Sequence, residues 1–160
     1  MDPQAKKHVL RMLTYGLYVL TAADEGDVAA GTATWLSQAS FEPPLVMVAV
    51  RADSNLHRLI ERGGQFAVNI VAEGQKELAA AFFRTSEVTA TTINGYPYER
   101  GPETGAPLLL DTPDWFEARV TDAVKRGDHT VFVAQVISAG VRDAEARPLL
   151  LQDTGWSYGG

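Results

Sequence analysis

The sequence predicts a mainly β fold with short helices, arranged as a largely antiparallel barrel. Three observations lead there. Six or seven runs carry strand patterning, and only two or three short stretches carry helical patterning. The C-terminal third is mostly strand. No GxGxxG or Walker pattern occurs, and short helices among many strands argue against a doubly wound parallel sheet. The 160 residues favour a single domain over 1–160, long enough to bury most of the unfolded surface around one core.

The elements follow in order. "DPQAKKHVLRML" reads as a helix, with Asp2 as cap and Pro3 at its first position. Val9, Leu10, Met12 and Leu13 give it one apolar side. "YGLYVLTA" (15–22) is a strand, "ADEGD" a turn, and "VAAGTATWLSQ" (28–38) its hairpin partner. "LVMVAV" (45–50) is a continuous apolar strand, as expected where both faces are buried. "DSNLHRLIERGG" is a helix: Asp53 or Ser54 caps it, Leu56, Leu59 and Ile60 form its stripe, and glycine ends it. "QFAVNIV" (65–71) is a strand and "QKELAAAFF" (75–83) a helix, with Leu78 and Phe82 stacked at i, i+4. Residues 84–107 hold Asn94-Gly95 and three prolines, and read as a long excursion with little regular structure, a place where function often resides. "WFEARVTDAV" (115–124) alternates, with Phe116, Ala118, Val120 and Val124 on one side and Glu117, Arg119 and Thr121 on the other. "HTVFVAQVISAGV" (129–141) pairs back on it through the "KRGD" turn. "RPLLLQ" (147–152) is a last strand.

Charge and composition narrow the function. The net charge is -6 and the pI about 5.0, with no basic cluster, so neither nucleic acid nor an anionic membrane is an expected partner. No apolar run approaches the roughly 20 residues that span a bilayer. There is no cysteine, which removes disulfides, thiolate metal sites and thiol nucleophiles. The N-terminus shows no signal-peptide pattern, and the expected compartment is the cytoplasm. The three histidines make no HxxxH or HxH pattern, so no metal site is expected. Ser40 lacks a GxSxG context, so a hydrolase triad is unsupported.

Three stretches could carry chemistry. In "GTATWLSQASFEPP", Gly31 and Ala33 permit close backbone approach, and Thr32, Thr34 and Ser40 supply hydroxyls. Amides around Ala39, Ser40 and Phe41 could serve the edge of a flat heterocycle if the strand ends there, and Pro43 and Pro44 favour that ending. The competing reading is a strand whose small residues only admit another backbone. In "RADSNLH", the helix start offers unpaired N–H groups, Ser54 and Asn55 neutral donors, and Arg51 charge and fork geometry: a phosphate seat. Asp53 opposes a phosphate unless it faces away; the plainer alternative is an N-cap beside a surface arginine. His129 follows Gly127-Asp128 at a hairpin mouth, either as a turn residue or beside a redox or proton-transfer centre. Trp156 and Tyr158, two apart, are core or flank an aromatic ligand.

Taken together, "GTATWLSQASFEPPLVMVAV", "DSNLH", "GGQFAVNIV", "QKELAAAFF", "GDHTVFVAQV" and "PLLLQDTGWSYGG" resemble the flavin reductase-like proteins, which have the FMN-binding split-barrel fold. The resemblance runs from about Leu13 to Tyr158. "YGLYVLT" and "DTGWSYGG" are most similar to flavoredoxin-like members and to the flavin domain of high-molecular-weight rubredoxin, whose cysteine-rich module has no counterpart in this chain. The resemblance implies that 32–41, Trp35 included, lies along the isoalloxazine ring. It implies that 53–56, with Leu56, receives the phosphate, and that His129 sits near the reactive side of the flavin. It implies FMN (or FAD) as cofactor, NADH or NADPH as donor without a Rossmann fold, and a homodimer with flavin near the subunit interface. The cap is Ser54-Asn55 where many members show Ser-x-Thr, and 84–107 match nothing specific. The expected function is hydride transfer from NAD(P)H to flavin, with electrons passed to an acceptor. The alternative is a flavoprotein electron carrier that serves a protein partner and uses NAD(P)H poorly.

Overall fold

The computed structural model describes residues 1–160. In order, α1 is Pro3–Arg11, β1 Tyr18–Asp24, β2 Asp27–Ala33, β3 Leu36–Ser40, β4 Leu45–Arg51, α2 Asn55–Gly63 and β5 Gln65–Ile70. Then come α3 Lys76–Ala81, β6 Thr92–Ile93, β7 Tyr96–Arg100, β8 Pro107–Leu109, β9 Asp114–Lys125 and β10 His129–Val141. A 3-10 turn, Leu151–Asp153, precedes the C-terminal tail. Seven strands form one antiparallel sheet in the order β2-β1-β5-β9-β10-β4-β3, and β6-β7-β8 make a small second sheet.

The large sheet is not closed. Its two edges are β2 and β3, and one continuous piece of chain supplies both. The stretch 28–38, expected as a single hairpin strand, breaks at Thr34-Trp35: up to Ala33 it pairs with β1, and from Leu36 it pairs with β4. At the break the backbone bonds change partner, with Leu36 N–H on Thr34 C=O and Ala49 N–H on Trp35 C=O. The chain thus crosses the split in the barrel.

Two apolar cores follow from strand alternation. In β1, Leu20 and Ala22 face one cluster with Val48, Phe66, Val68 and Phe132, while Val19 faces a second cluster with Val71, Leu78, Phe82, Ile93 and Leu109. Both faces of β1 are covered, and Val19 through Ala22 are fully buried. The α2 stripe Leu56, Leu59 and Ile60 fills the first core. Ser54 caps α2, and Gly64, at φ 68°, ends it in the left-handed conformation that glycine adopts without cost.

Four further expectations differ from the structure. Residues 84–107 are not irregular: they hold β6, β7 and the start of β8, and Asn94-Gly95 forms a hairpin turn with both residues at positive φ. The stretch 147–152 makes only isolated bridges, Ala72 to Pro148 and Gly16 to Leu150, before turning into the 3-10 segment. Glu117 is fully buried rather than on a solvent face. The loop 101–106, between β7 and β8, folds over it. The Glu117 carboxylate accepts from the N–H groups of Glu103 and Thr104 and from the Thr104 hydroxyl. Finally, β4 is not buried on both faces: Val46, Val48 and Val50 are buried while Met47 is 43 % exposed. The apolar side of α1 is uncovered within the chain: no α1 residue is buried, and Val9, Leu10, Met12 and Leu13 are all exposed. No helix is long and apolar enough to cross a membrane.

Candidate active site

A cavity of about 820 Å³ opens at the split in the barrel. Gly31 to Trp35 form one wall, Ala49 to Arg51 and the start of α2 form another, the segment after α3 (Phe82 to Ser86) a third, and Trp156 to Tyr158 of the tail a fourth. It is large enough for a nucleotide-sized ligand.

The wall at 31–35 is built for close approach. A Cβ on Gly31 would meet Leu56 Cδ2 at 3.3 Å, so glycine lets α2 pack tightly on β2. Ala33 lines the cavity as well. Thr32 does not offer its hydroxyl inward, because that group donates to Ala79 C=O at 2.6 Å and ties α3 to β2. Thr34 differs. It is 7 % exposed, it lines the cavity, and its Oγ1 has no partner in the chain. The indole Nε1 of adjacent Trp35 is also buried and unpartnered. Of the three such side-chain atoms in the molecule, two therefore belong to adjacent residues of this wall. Burying an unpaired donor costs about 1–3 kcal/mol, a cost relieved if either side chain turns toward a polar-edged ring in the cavity.

The start of α2 forms the polar end. Ser54 Oγ accepts from His57 N–H at 3.0 Å and donates to Arg51 C=O at 2.8 Å, so its hydroxyl belongs to the cap. The N–H groups of Asn55 and Leu56 have no acceptor within the helix, and the helix dipole adds positive potential there. Asp53 does not face away: it takes both arms of Arg51, at 3.0 and 2.7 Å. The pair is exposed, and the guanidinium holds the Asp53 carboxyl below its ordinary pKa.

His129 stands behind this wall rather than on it. Its ring packs on Trp35 at 4.7 Å and is only 14 % exposed. Asp128 lies 2.7 Å from Nδ1 and Tyr158 Oη 2.7 Å from Nε2. A carboxylate only accepts, so Nδ1 carries a proton, and in the neutral ring Nε2 accepts from the Tyr158 hydroxyl. The bond from His129 holds the Asp128 carboxyl below its ordinary pKa, and burial raises that of Tyr158. Trp156 packs edge-on against Phe83 at 4.9 Å, with Lys76 Nζ 4.9 Å above its ring.

The structure thus gathers Gly31, Thr32, Ala33, Thr34, Trp35, Arg51, Ser54, Asn55, Leu56, Trp156 and Tyr158 around one cavity. It does not bring Ala39, Ser40 or Phe41 there. Ala39 and Ser40 close β3, with Ser40 paired to Leu45 across a register shift, and Phe41 follows in the turn, 97 % exposed; none of the three lines the cavity. The sequence reading did not find Phe82 to Ser86. Only the length of the 84–107 excursion hinted at it, because the contacts that bring 82–86 to β2, Thr32 N–H on Phe82 C=O and Ala30 N–H on Ser86 Oγ, are long-range.

Comparison with known proteins fits this geometry. The flavin reductase-like domain matches residues 10–159. An NADH-dependent flavin reductase, StyB of Pseudomonas fluorescens, is 33% identical over 94% of this chain and 86% of its own. An NADH:riboflavin 5'-phosphate oxidoreductase of Streptomyces pristinaespiralis is 29% identical over 94% of this chain and 84% of its own. Among solved structures, the NADH:FAD oxidoreductase SgcE6 of Streptomyces globisporus superposes with a TM-score of 0.79 at 25% identity, covering 94% of this chain and 90% of that one. It has also been solved with NAD and FAD fragments. The chain belongs to the flavin reductase-like family, and its activity is the reduction of flavin by a nicotinamide nucleotide.

Proposed function

We propose that the cavity holds FMN, that NADH is the hydride donor, and that the reduced flavin serves a separate acceptor. The observation that carries the flavin assignment is a pair of unpartnered polar atoms, Thr34 Oγ1 and Trp35 Nε1, in adjacent residues lining a cavity whose other end is a helix N-terminus. An isoalloxazine ring with polar edges and a phosphate tail matches that donor set. Bound flavin supplies the redox chemistry, accepting a hydride from nicotinamide. The chain's residues bind and orient. Thr34 and Trp35 meet the ring edge, and Gly31 and Ala33 let the backbone come close. The N–H groups of Asn55 and Leu56 meet the phosphate, with Arg51 once it leaves Asp53. FMN is preferred to FAD because one phosphate satisfies this seat, and the Streptomyces pristinaespiralis relative acts on that flavin.

His129, with its proton fixed on Nδ1 by Asp128, seats the nicotinamide through Nε2. Proximity of two stacked rings is the main catalytic contribution. The exposed apolar side of α1 supports a homodimer, and the cytoplasm is the proposed compartment.

The test is Thr34→Val, which keeps shape and deletes the hydroxyl. It is expected to weaken flavin binding about two- to tenfold, the worth of one hydrogen bond, while leaving the flavin-free protein as stable as before or more so. Unchanged flavin affinity rejects the assignment of Thr34 to the ring edge.

A further inference from the structure

We propose that the C-terminal tail, Gly155–Gly160, is a strap latched across the nicotinamide side of the cavity by the Tyr158–His129 bond, and that the dinucleotide must open it to bind. This rests on the reading that the cavity takes a nicotinamide nucleotide.

The tail has almost no backbone anchorage. It belongs to no strand or helix, and within it only Trp156 N–H bonds inward, to the Thr154 hydroxyl at 3.0 Å. Side chains hold it instead. Tyr158 Oη meets His129 Nε2 at 2.7 Å, and its ring stands edge-on to Trp35 at 5.0 Å. Arg11 Nε of α1 donates to Gly159 C=O at 3.2 Å. Gly159 sits at φ 83°, and a Cβ there would come within 2.7 Å of the Trp35 ring. Glycine is therefore what lets the strap lie flat on that indole.

The closed strap changes what the cavity presents. Tyr158 lines it and His129 does not. Of the two ring nitrogens of His129, Nδ1 is held by Asp128 and Nε2 by Tyr158. No nitrogen is left for a nicotinamide carboxamide until Tyr158 withdraws. A segment held by few contacts and little backbone bonding belongs to the low-stability end of a fold, where moving parts are found. Closed and open forms then compete, and apparent dinucleotide affinity is reduced by the fraction of chains that are open.

The experiment uses the full chain, flavin-loaded and 15N-labelled, with order parameters read at Ser157, Tyr158 and Gly159. The wild-type tail is expected near the rigid value of about 0.85; Tyr158→Phe, or added NAD+, is expected to bring it below about 0.6. Arg11→Ala, remote from the cavity, loosens Gly159 by the second tether and stands in if Tyr158→Phe misfolds. In steady state, Tyr158→Phe is expected to lower KM for NADH about threefold or more, because the lost bond belongs to the closed form. A tail already mobile in the wild type, a tail left rigid by Tyr158→Phe, or a tail made more rigid by NAD+ overturns the latch, as does an unchanged or raised KM. Normal bleaching of flavin by NADH with the tail unmoved overturns the gate alone. No bleaching together with an unmoved tail overturns the reductase reading and the gate with it.

Discussion

Arg51 is the residue on which the phosphate assignment turns, and its partner decides its strength. It is locked in a two-armed pair with Asp53, so a phosphate must compete with a carboxylate for it. Arg51→Ala is expected to weaken FMN binding about threefold to tenfold while barely touching riboflavin, since only FMN carries the phosphate and the exposed guanidinium contributes at the low end of charge-assisted bonds. Asp53→Asn should act in the opposite sense, tightening FMN and not riboflavin. Equal effects on both ligands, read by fluorescence titration, leave a plain N-cap. His57, one of three histidines that make no ligand pattern, is buried, with Nε2 2.7 Å from the Thr130 hydroxyl. Burial lowers its pKa, with Lys125 adding to the effect. The unfolded chain then holds the His57 proton more tightly than the folded one. Stability is lost as pH falls below the unfolded value of about 6.5. Melting curves at pH 7.5 and 5.5 should show a larger loss in the wild type than in His57→Gln. An equal loss in both sets this aside. At this scale, sequence conveyed which residue types gather near the cavity. It did not convey which hydroxyls are already spent, because Thr32 bonds to Ala79 and Ser54 to its own helix start, partners that only the fold supplies.

Periodicity placed most elements, and its failures share a cause. The stretch 28–38 carries one continuous pattern, and nothing local marks that its partner changes from β1 to β4 at Thr34-Trp35. The alternation of 115–124 was real, but its polar side was read as wet. The loop 101–106 of the second sheet, whose strands lie within 92–109, covers it and takes Glu117 inside. That sheet was missed because its strands have two, five and three residues, too short for a period to show. Glu117 is accordingly the pin of the 101–106 loop. Glu117→Ala should destabilise by about 2–4 kcal/mol, because it strands the buried N–H and hydroxyl of Thr104 and the part-buried N–H of Glu103. Glu117→Gln should cost less, as the amide oxygen still accepts. Urea unfolding measures both, and a loss below 1 kcal/mol for the alanine variant would remove the pin from this account. Leu59→Ala, at the centre of the α2 stripe and 2 % exposed, should cost about 2–5 kcal/mol by cavity formation.

At the scale of the whole molecule, the split sheet makes the site. An open edge on each side, bridged by Thr34-Trp35, leaves a cavity that a closed barrel would fill with side chains. Outside it, the exposed apolar side of α1 and Phe41 lie on surfaces with nothing against them in one chain. A flavin-loaded dimer at micromolar concentration is the expected result in light scattering; a monomer there contradicts it. The central claim is that nicotinamide hydride reaches flavin in this cavity. It is tested most directly by anaerobic stopped-flow mixing of the flavin-loaded chain with NADH, with dithionite as control. Rapid bleaching of the flavin band by NADH, slowed about tenfold in His129→Ala while dithionite bleaching is unchanged, is the predicted result. Bleaching by dithionite or by a reduced protein, but not by NADH or NADPH, would contradict it and leave an electron carrier in place of a reductase.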